Sequence, residues 1–164
     1  MEKKQVEKLP EFASRHEADA LYGPAARDER HQLTFEREMA ELGDKMIVEV
    51  MALFDDQGID LDYSEESLVE LEALIDELWH GEPIEEEALE AIVANWGAYL
   101  GLTIQQNIGG EWTFRKDLEH ASIFFPRTGM EAFPMHKVRR RLVLGPQESL
   151  VNYYEGLIEE LSRA

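Results

Sequence analysis

A chain of 164 residues with 44% hydrophobic and 31% charged residues is sized for one domain with its own core. It contains no cysteine, which excludes disulfides, thiolate nucleophiles and cysteine-ligated zinc or iron–sulfur sites. A formal net charge of −19 argues against nucleic acid or an anionic membrane as the main partner.

That charge is lopsided. Residues 1–90 carry 27 acids against 8 bases, whereas residues 91–164 carry 8 of each. No Lys or Arg occurs between Lys45 and Arg115, a stretch that holds seventeen acids. Such an acidic half suits a basic partner, or keeps a chain in solution.

The opening residues Met1 to Lys8 are followed by no apolar segment, so no secretory signal and a cytoplasmic location are expected. Residues 1–24 read as an N-terminal arm, with Phe12, His16, Ala20 and Leu21 forming a short helical stripe ahead of Gly23-Pro24. Residues 25–164 read as the single domain.

From Ala25 to Gln57, Phe35, Met39, Leu42, Met46, Val50, Leu53 and Phe54 recur at steps of three and four, a helix stopped by Gly58. A second helix starts at Ser64, whose hydroxyl suits an N-cap, with Glu65 and Glu66 at its positive end. Tyr63 and Leu68 are spaced as a hydrophobic staple, and Leu68, Leu71, Leu74, Ile75 and Leu78 face inward until Gly81. Pro83 opens a third helix carrying Leu89, Ile92, Val93, Trp96, Leu100 and Ile104. Its uncharged run, Ala91 to Gly110, contains Asn95, Gln105, Gln106 and Asn107, and falls short of the roughly 20 apolar residues of a membrane span. Gly97 and Gly101 lie four apart on one face, where another backbone or an aromatic ring can approach.

After Gly109-Gly110 the period changes to two. Trp112 and Phe114 alternate with Thr113 and Arg115, and a second strand runs from Ala121 to Phe125 with Ala121, Ile123 and Phe125 on its apolar face. Pro134 to Leu144 reads as a helix with Met135, Val138 and Leu142 inward, and residues 147–162 as a last amphipathic helix. The fold class expected is α+β: three N-terminal helices, a small antiparallel hairpin or sheet, and two C-terminal helices.

The segment Ala91-Ile92-Val93-Ala94-Asn95-Trp96-Gly97-Ala98-Tyr99-Leu100-Gly101, followed by Gly109-Gly110-Glu111-Trp112, resembles an uncharacterised family of small bacterial domains. Leu61 to Leu68, Pro134, Val138, Arg141-Leu142, Gly145, Leu150 and Tyr153-Tyr154 extend the resemblance over residues 58–161. It implies an α+β fold and a bacterial setting, and brings no assigned activity. The pattern leads one to expect an acid just after Gly101, where this chain has Leu102.

Catalytic signatures are sparse. Glu77-Leu78-Trp79-His80 has the Glu-x-x-His spacing of di-iron bundles, but its only counterpart, Asp117 to His120, falls in the hairpin region. The acid-rich run from Asp55 to Asp62 fits a calcium loop poorly, because Ile59 stands at a ligand position and Gly58 is too early. His120 and Ser122 share a strand face without an orienting third group, and a solvated polar face is the expectation there. Phe124 shares that face, where an exposed aromatic near Arg127 would suit an interface anchor. The one basic cluster is Lys137, Arg139, Arg140 and Arg141, expected on the outer face of its helix. It would pair with acidic helices of the same molecule or of a second copy, in preference to a phosphate or an acidic partner.

The reading that follows is a non-catalytic protein-binding module, immunity- or inhibitor-like, that needs no metal or cofactor. Its docking surface for a basic protein partner would include Glu65, Glu66, Glu70, Glu72, Glu86 and Glu87. The competing reading is a small metal-dependent hydrolase using carboxylates with His80 or His120. A third is that the acids serve solubility alone.

Overall fold

The computed structural model describes residues 2–26, 28–54 and 58–163. In chain order it forms α1 (Lys3–Glu7), β1 (Phe12–Ser14), α2 (Arg15–Tyr22), α3 (Glu29–Leu53), α4 (Glu65–Leu78), α5 (Glu86–Asn107), β2 (Glu111–Thr113), a 3-10 turn (Leu118–His120), β3 (Ser122–Phe125), β4 (Met130–Ala132), α6 (Pro134–Leu144) and α7 (Leu150–Ser162). The class is α+β, as expected. Two short helices, α1 and α2, and two strands, β1 and β4, add to the expected set.

The sheet is antiparallel with order β1-β4-β3-β2. Its register pairs Trp112 with Ile123, Ile123 with Ala132, and Phe12 with Ala132. Residues 1–24, expected as an arm with a helical stripe starting at Phe12, instead place Phe12 in an edge strand and start α2 at Arg15. Ser14 caps α2 by accepting from the Glu17 amide at 3.1 Å, while the Glu17 carboxylate accepts from the Ser14 amide at 3.2 Å. The segment is tied down along its length: Arg140 Nη1 donates to the Val6, Glu7 and Leu9 carbonyls, and the Tyr153 hydroxyl donates to the Glu11 carbonyl.

Helix α5 is the axis of the core. Every residue from Asn95 to Ile104 is buried, because α3 packs along one side of it and α6 along the other. The two glycines make those contacts close. A Cβ on Gly97 would lie 2.8 Å from Met135 Cγ of α6, and one on Gly101 would lie 2.2 Å from Trp112 Cη2 of β2. Leu102 is buried against Gly43 of α3.

Gly101→Ala is therefore expected to destabilise the fold by about 1–3 kcal/mol through overpacking, although alanine is the better helix former. Gly156→Ala in α7 is the control. Its Cβ meets nothing within 4 Å, so it should be neutral or stabilising by up to about 1 kcal/mol. Urea titration of both variants checks the pair, and equal behaviour would remove the close-approach argument.

Tyr63 turns the chain into α4 with φ at +62°, a left-handed conformation that costs a non-glycine residue about 1–2 kcal/mol. Three contacts hold it there. Its amide donates to the Tyr99 hydroxyl at 3.0 Å, its hydroxyl donates to Asp44 at 2.9 Å, and its ring stacks on Tyr99 with centroids 4.7 Å apart.

Candidate functional site

Ser64 caps α4 by accepting from the Ser67 amide at 3.2 Å, which sets Glu65 and Glu66 in the exposed first turn. Both carboxylates lie close enough to α7 to push the Tyr154 hydroxyl pKa up, after burial, which is the larger cause. Helix α4 contains no base, and α5 begins with Glu86, Glu87 and Glu90 after the exposed Glu85. Helix α3 differs: Arg30, Arg37 and Lys45 interleave with its acids, and Lys45 reaches Glu49 at 4.0 Å. The surface free of bases thus covers α4 and the start of α5, and α7, which packs on α4, also carries exposed Glu155 and Glu159 and no base.

The six carboxylates expected to dock a partner do not behave alike. Glu65, Glu66 and Glu87 are exposed and have no cationic partner among the described residues. Glu70 accepts the Asp60 amide at 2.9 Å and so shapes the loop ahead of α4. Glu72 faces inward. It accepts Arg141 Nε at 2.8 Å, and its other oxygen accepts the Leu150 and Val151 amides at the start of α7. Glu86 accepts Arg139 Nη1 at 3.3 Å.

The basic cluster departs from the outer-face expectation. Lys137, Arg139 and Arg141 are only 4%, 2% and 3% exposed, and Arg140 is half-buried. Helix α6 is covered by α1, α5, α7 and the 3-10 turn, so it has no free outer face. Its charges are met inside the molecule. Lys137 lies 3.3 Å from Glu11, Arg139 3.5 Å from Glu119, and Arg141 2.6 Å from Asp76, while Arg140 pairs with Glu11 and Glu148. A buried charge needs such partners, because removing it from water without them is costly.

On the face of β3 expected to be solvated, Ser122 is buried and Phe124 is half-buried under Arg15 of α2. Glu131 of β4 is fully buried there. One of its oxygens accepts Arg115 Nη1 at 2.6 Å and the Ser122 hydroxyl at 2.5 Å; the other accepts Arg15 Nε at 2.7 Å and Arg115 Nη2 at 2.9 Å. Arg115 continues to Asp19 at 2.7 Å and to the Gly23 carbonyl at 2.8 Å. Arg15 also donates to Thr113 at 2.6 Å and lies 3.7 Å over the Phe124 ring, so Phe124 is anchored internally. Arg127 turns instead to the Leu161 carbonyl at 2.7 Å. Glu131 accepts four hydrogen bonds and Arg115 donates four, so the network fastens α2 to the sheet. Burial alone would raise the Glu131 carboxyl pKa, but the bonds from Arg115, Ser122 and Arg15 outweigh it and lower the pKa.

His120 and Ser122 part company. Ser122 serves Glu131, while His120 Nδ1 meets His136 Nε2 at 2.9 Å. His136 Nδ1 lies 2.7 Å from the Pro10 carbonyl, which only accepts, so the proton of the neutral His136 ring is on Nδ1. His136 Nε2 then accepts from His120 Nδ1–H, and His120 Nε2 keeps a lone pair. Tyr22 stacks on His120 with centroids 3.9 Å apart.

His80 is exposed beyond the end of α4, and its amide donates to Glu82 at 2.9 Å. Among the described residues, no group of three or more His, Asp or Glu side chains is placed to hold a metal ion. The acid-rich run includes residues 55–57, which lie outside the described residues, and Glu66 sits in the first turn of α4 instead of closing a loop.

A cleft of about 740 Å³ opens between the C-terminal ends of α4 and α6, lined in part by Ile75, Asp76, Trp79, Glu82, Ile84 and Leu142. Sequence reasoning missed this cleft and the Glu131 network. Neither leaves a periodic signal, because both are assembled from segments far apart in the chain. Comparison of the chain with family models, with curated proteins and with solved structures gives no match.

Proposed function

We propose that this protein is a non-catalytic binding module that docks a basic protein partner on the acidic surface of α4 and the start of α5. One observation carries the reading. Every cation of α6 has a carboxylate inside the molecule, yet Glu65, Glu66, Glu77, Glu85, Glu87 and Glu90 stand exposed without a cationic partner among the described residues. A surface of one sign steers an oppositely charged partner and makes association fall with salt. Proteins that neutralise a basic toxin or nuclease work on this principle, and size and charge are what this chain shares with them.

The test is a triple reversal, Glu65→Lys, Glu66→Lys and Glu87→Lys, none of which breaks an internal ion pair. Proteins retained by the immobilised wild-type chain at low salt are identified, purified and re-bound. A basic partner is expected whose association slows at least tenfold, as an order of magnitude, with the reversed chain or in 0.5 M salt. Retention that ignores both changes would leave the acids as a solubility surface.

A further inference from the structure

We infer that the cleft between the ends of α4 and α6 receives a lysine or arginine side chain of the partner, an inference that rests on the docking reading above. The cleft lies at the C-terminal end of α4, with Asp76 of α4, Glu82 of the following loop and Glu86 of α5 in its lining. Its walls are apolar at Ile75, Ile84 and Leu142, which suits the alkyl stem of a long cationic side chain. Trp79 is half-buried and held by the edge of Trp96 with centroids 5.5 Å apart, leaving an indole to meet a cation.

Asp76, Glu82 and Glu86 contribute carboxylates to the lining. Glu86 is engaged by Arg139, and Asp76 shares Arg141 with Glu72, so the negative charge left over is that of Glu82 and the one in excess of Arg141. Two helices also end there, α4 at Leu78 and α6 at Leu144, and a helix C-terminus carries partial negative charge. Two cations line the same space, Lys3 and Arg141. Arg141 is neutralised by Glu72 at 2.8 Å and Asp76 at 2.6 Å, so it offers no free charge to an anion. Lys3 is on an exposed turn of α1. The balance therefore selects a cation with an apolar stem.

The probe is an octalysine peptide added to the full chain labelled with nitrogen-15 in its tryptophans. On binding, the Trp79 indole signal should shift, while those of the buried Trp96 and Trp112 should not. The Trp79→Ala, Glu82→Gln variant should lose about tenfold in affinity, the upper range for a desolvated cation–aromatic contact. Glu159→Gln, on the exposed face of α7, should lose less than about twofold, as for a screened surface charge. Salt-sensitive binding that leaves the Trp79 signal unmoved, or that both variants weaken equally, would overturn the cleft assignment and leave the acidic surface standing. No binding at low salt would overturn the docking reading itself.

Discussion

Glu131→Ala is expected to lower the free energy of unfolding by about 3–5 kcal/mol, the range for breaking a buried ion pair from one side. The loss follows from what remains. Arg115 is fully buried and Arg15 is 29% exposed; Arg115 would keep its charge with Asp19 and the Gly23 carbonyl, and Arg15 with Thr113 and the Phe124 ring. Ser122 would lose its acceptor as well. Replacing the whole set by apolar residues of similar volume should cost far less, because the one charge then left without its partner, Asp19, is 37% exposed to water. Urea unfolding of the single variant and of a Glu131→Leu, Arg115→Met, Arg15→Met triple variant compares the two. A mild single variant would mean that water reaches the network.

The same carboxylate sets an acid limit. Its folded pKa is depressed below the ordinary 4.5, so the unfolded chain takes up the proton first as pH falls. The stability it contributes is complete above about 4.5 and is lost as pH drops through the lower folded value.

A second large effect lies in a separate pH window. Burial, aided by the charges of His120, Arg139 and Arg140, pushes the His136 imidazole down from 6.5 to about 3 against the opposing bond to Pro10. The folded pKa is depressed, so the contribution of His136 is present above 6.5 and declines as pH falls toward about 3. The slope for one such group is about 1.4 kcal/mol per pH unit, which makes roughly 2 kcal/mol between pH 6.5 and 5. His120, also depressed mainly by burial, adds in the same direction despite Glu119 and Asp117 nearby. Glu131 titrates lower and stays out of this window. Chemical unfolding at pH 7, 6 and 5 should show the decline in the wild type and a flatter profile in His136→Gln. An unchanged profile would show that the His136 ring is not held neutral in the fold.

Helices α3 to α7 were legible because each buries a periodic stripe, although α5 starts at Glu86, past the Pro83 expected to open it, and α3 ends at Leu53, ahead of the expected stop at Gly58. Pro134 and Gly145 bound α6, and Ser64 caps α4, where the sequence places them. Gly97 and Gly101 announced close contacts, though not that Met135 and Trp112 would fill them. Strands β1 and β4 were not legible, since neither three-residue stretch continues into a longer alternation as β2 does through Phe114 and Arg115. The polar face of β3 misled for a physical reason. Alternation of Ser122 and Phe124 with apolar neighbours implies water on the second face, and nothing local reveals that α2 supplies Arg15 and Asp19 instead. The outer-face placement of the α6 cluster misled, whereas pairing with acids of the same molecule was expected; those acids, Glu11, Glu72, Glu86, Glu119 and Glu148, come from five separate stretches. Of the candidate docking acids, Glu65, Glu66 and Glu87 are exposed. Glu72 and Glu86 could not be told apart from them, since residue type alone does not say whether a carboxylate faces a cation or water.

The pairing of Phe12, Ala13 and Ser14 with Ala132, Glu131 and Met130 joins the first elements of the chain to some of its last. A nascent polypeptide emerging from the ribosome therefore cannot complete its sheet until residue 132 is outside the exit tunnel. Until then its early segments wait without their permanent neighbours. Closing a span of this length is entropically slow. The α3–α5 pair should accordingly assemble first, with β1 pairing onto β4, and α6 packing on α5, only after residue 132 has emerged.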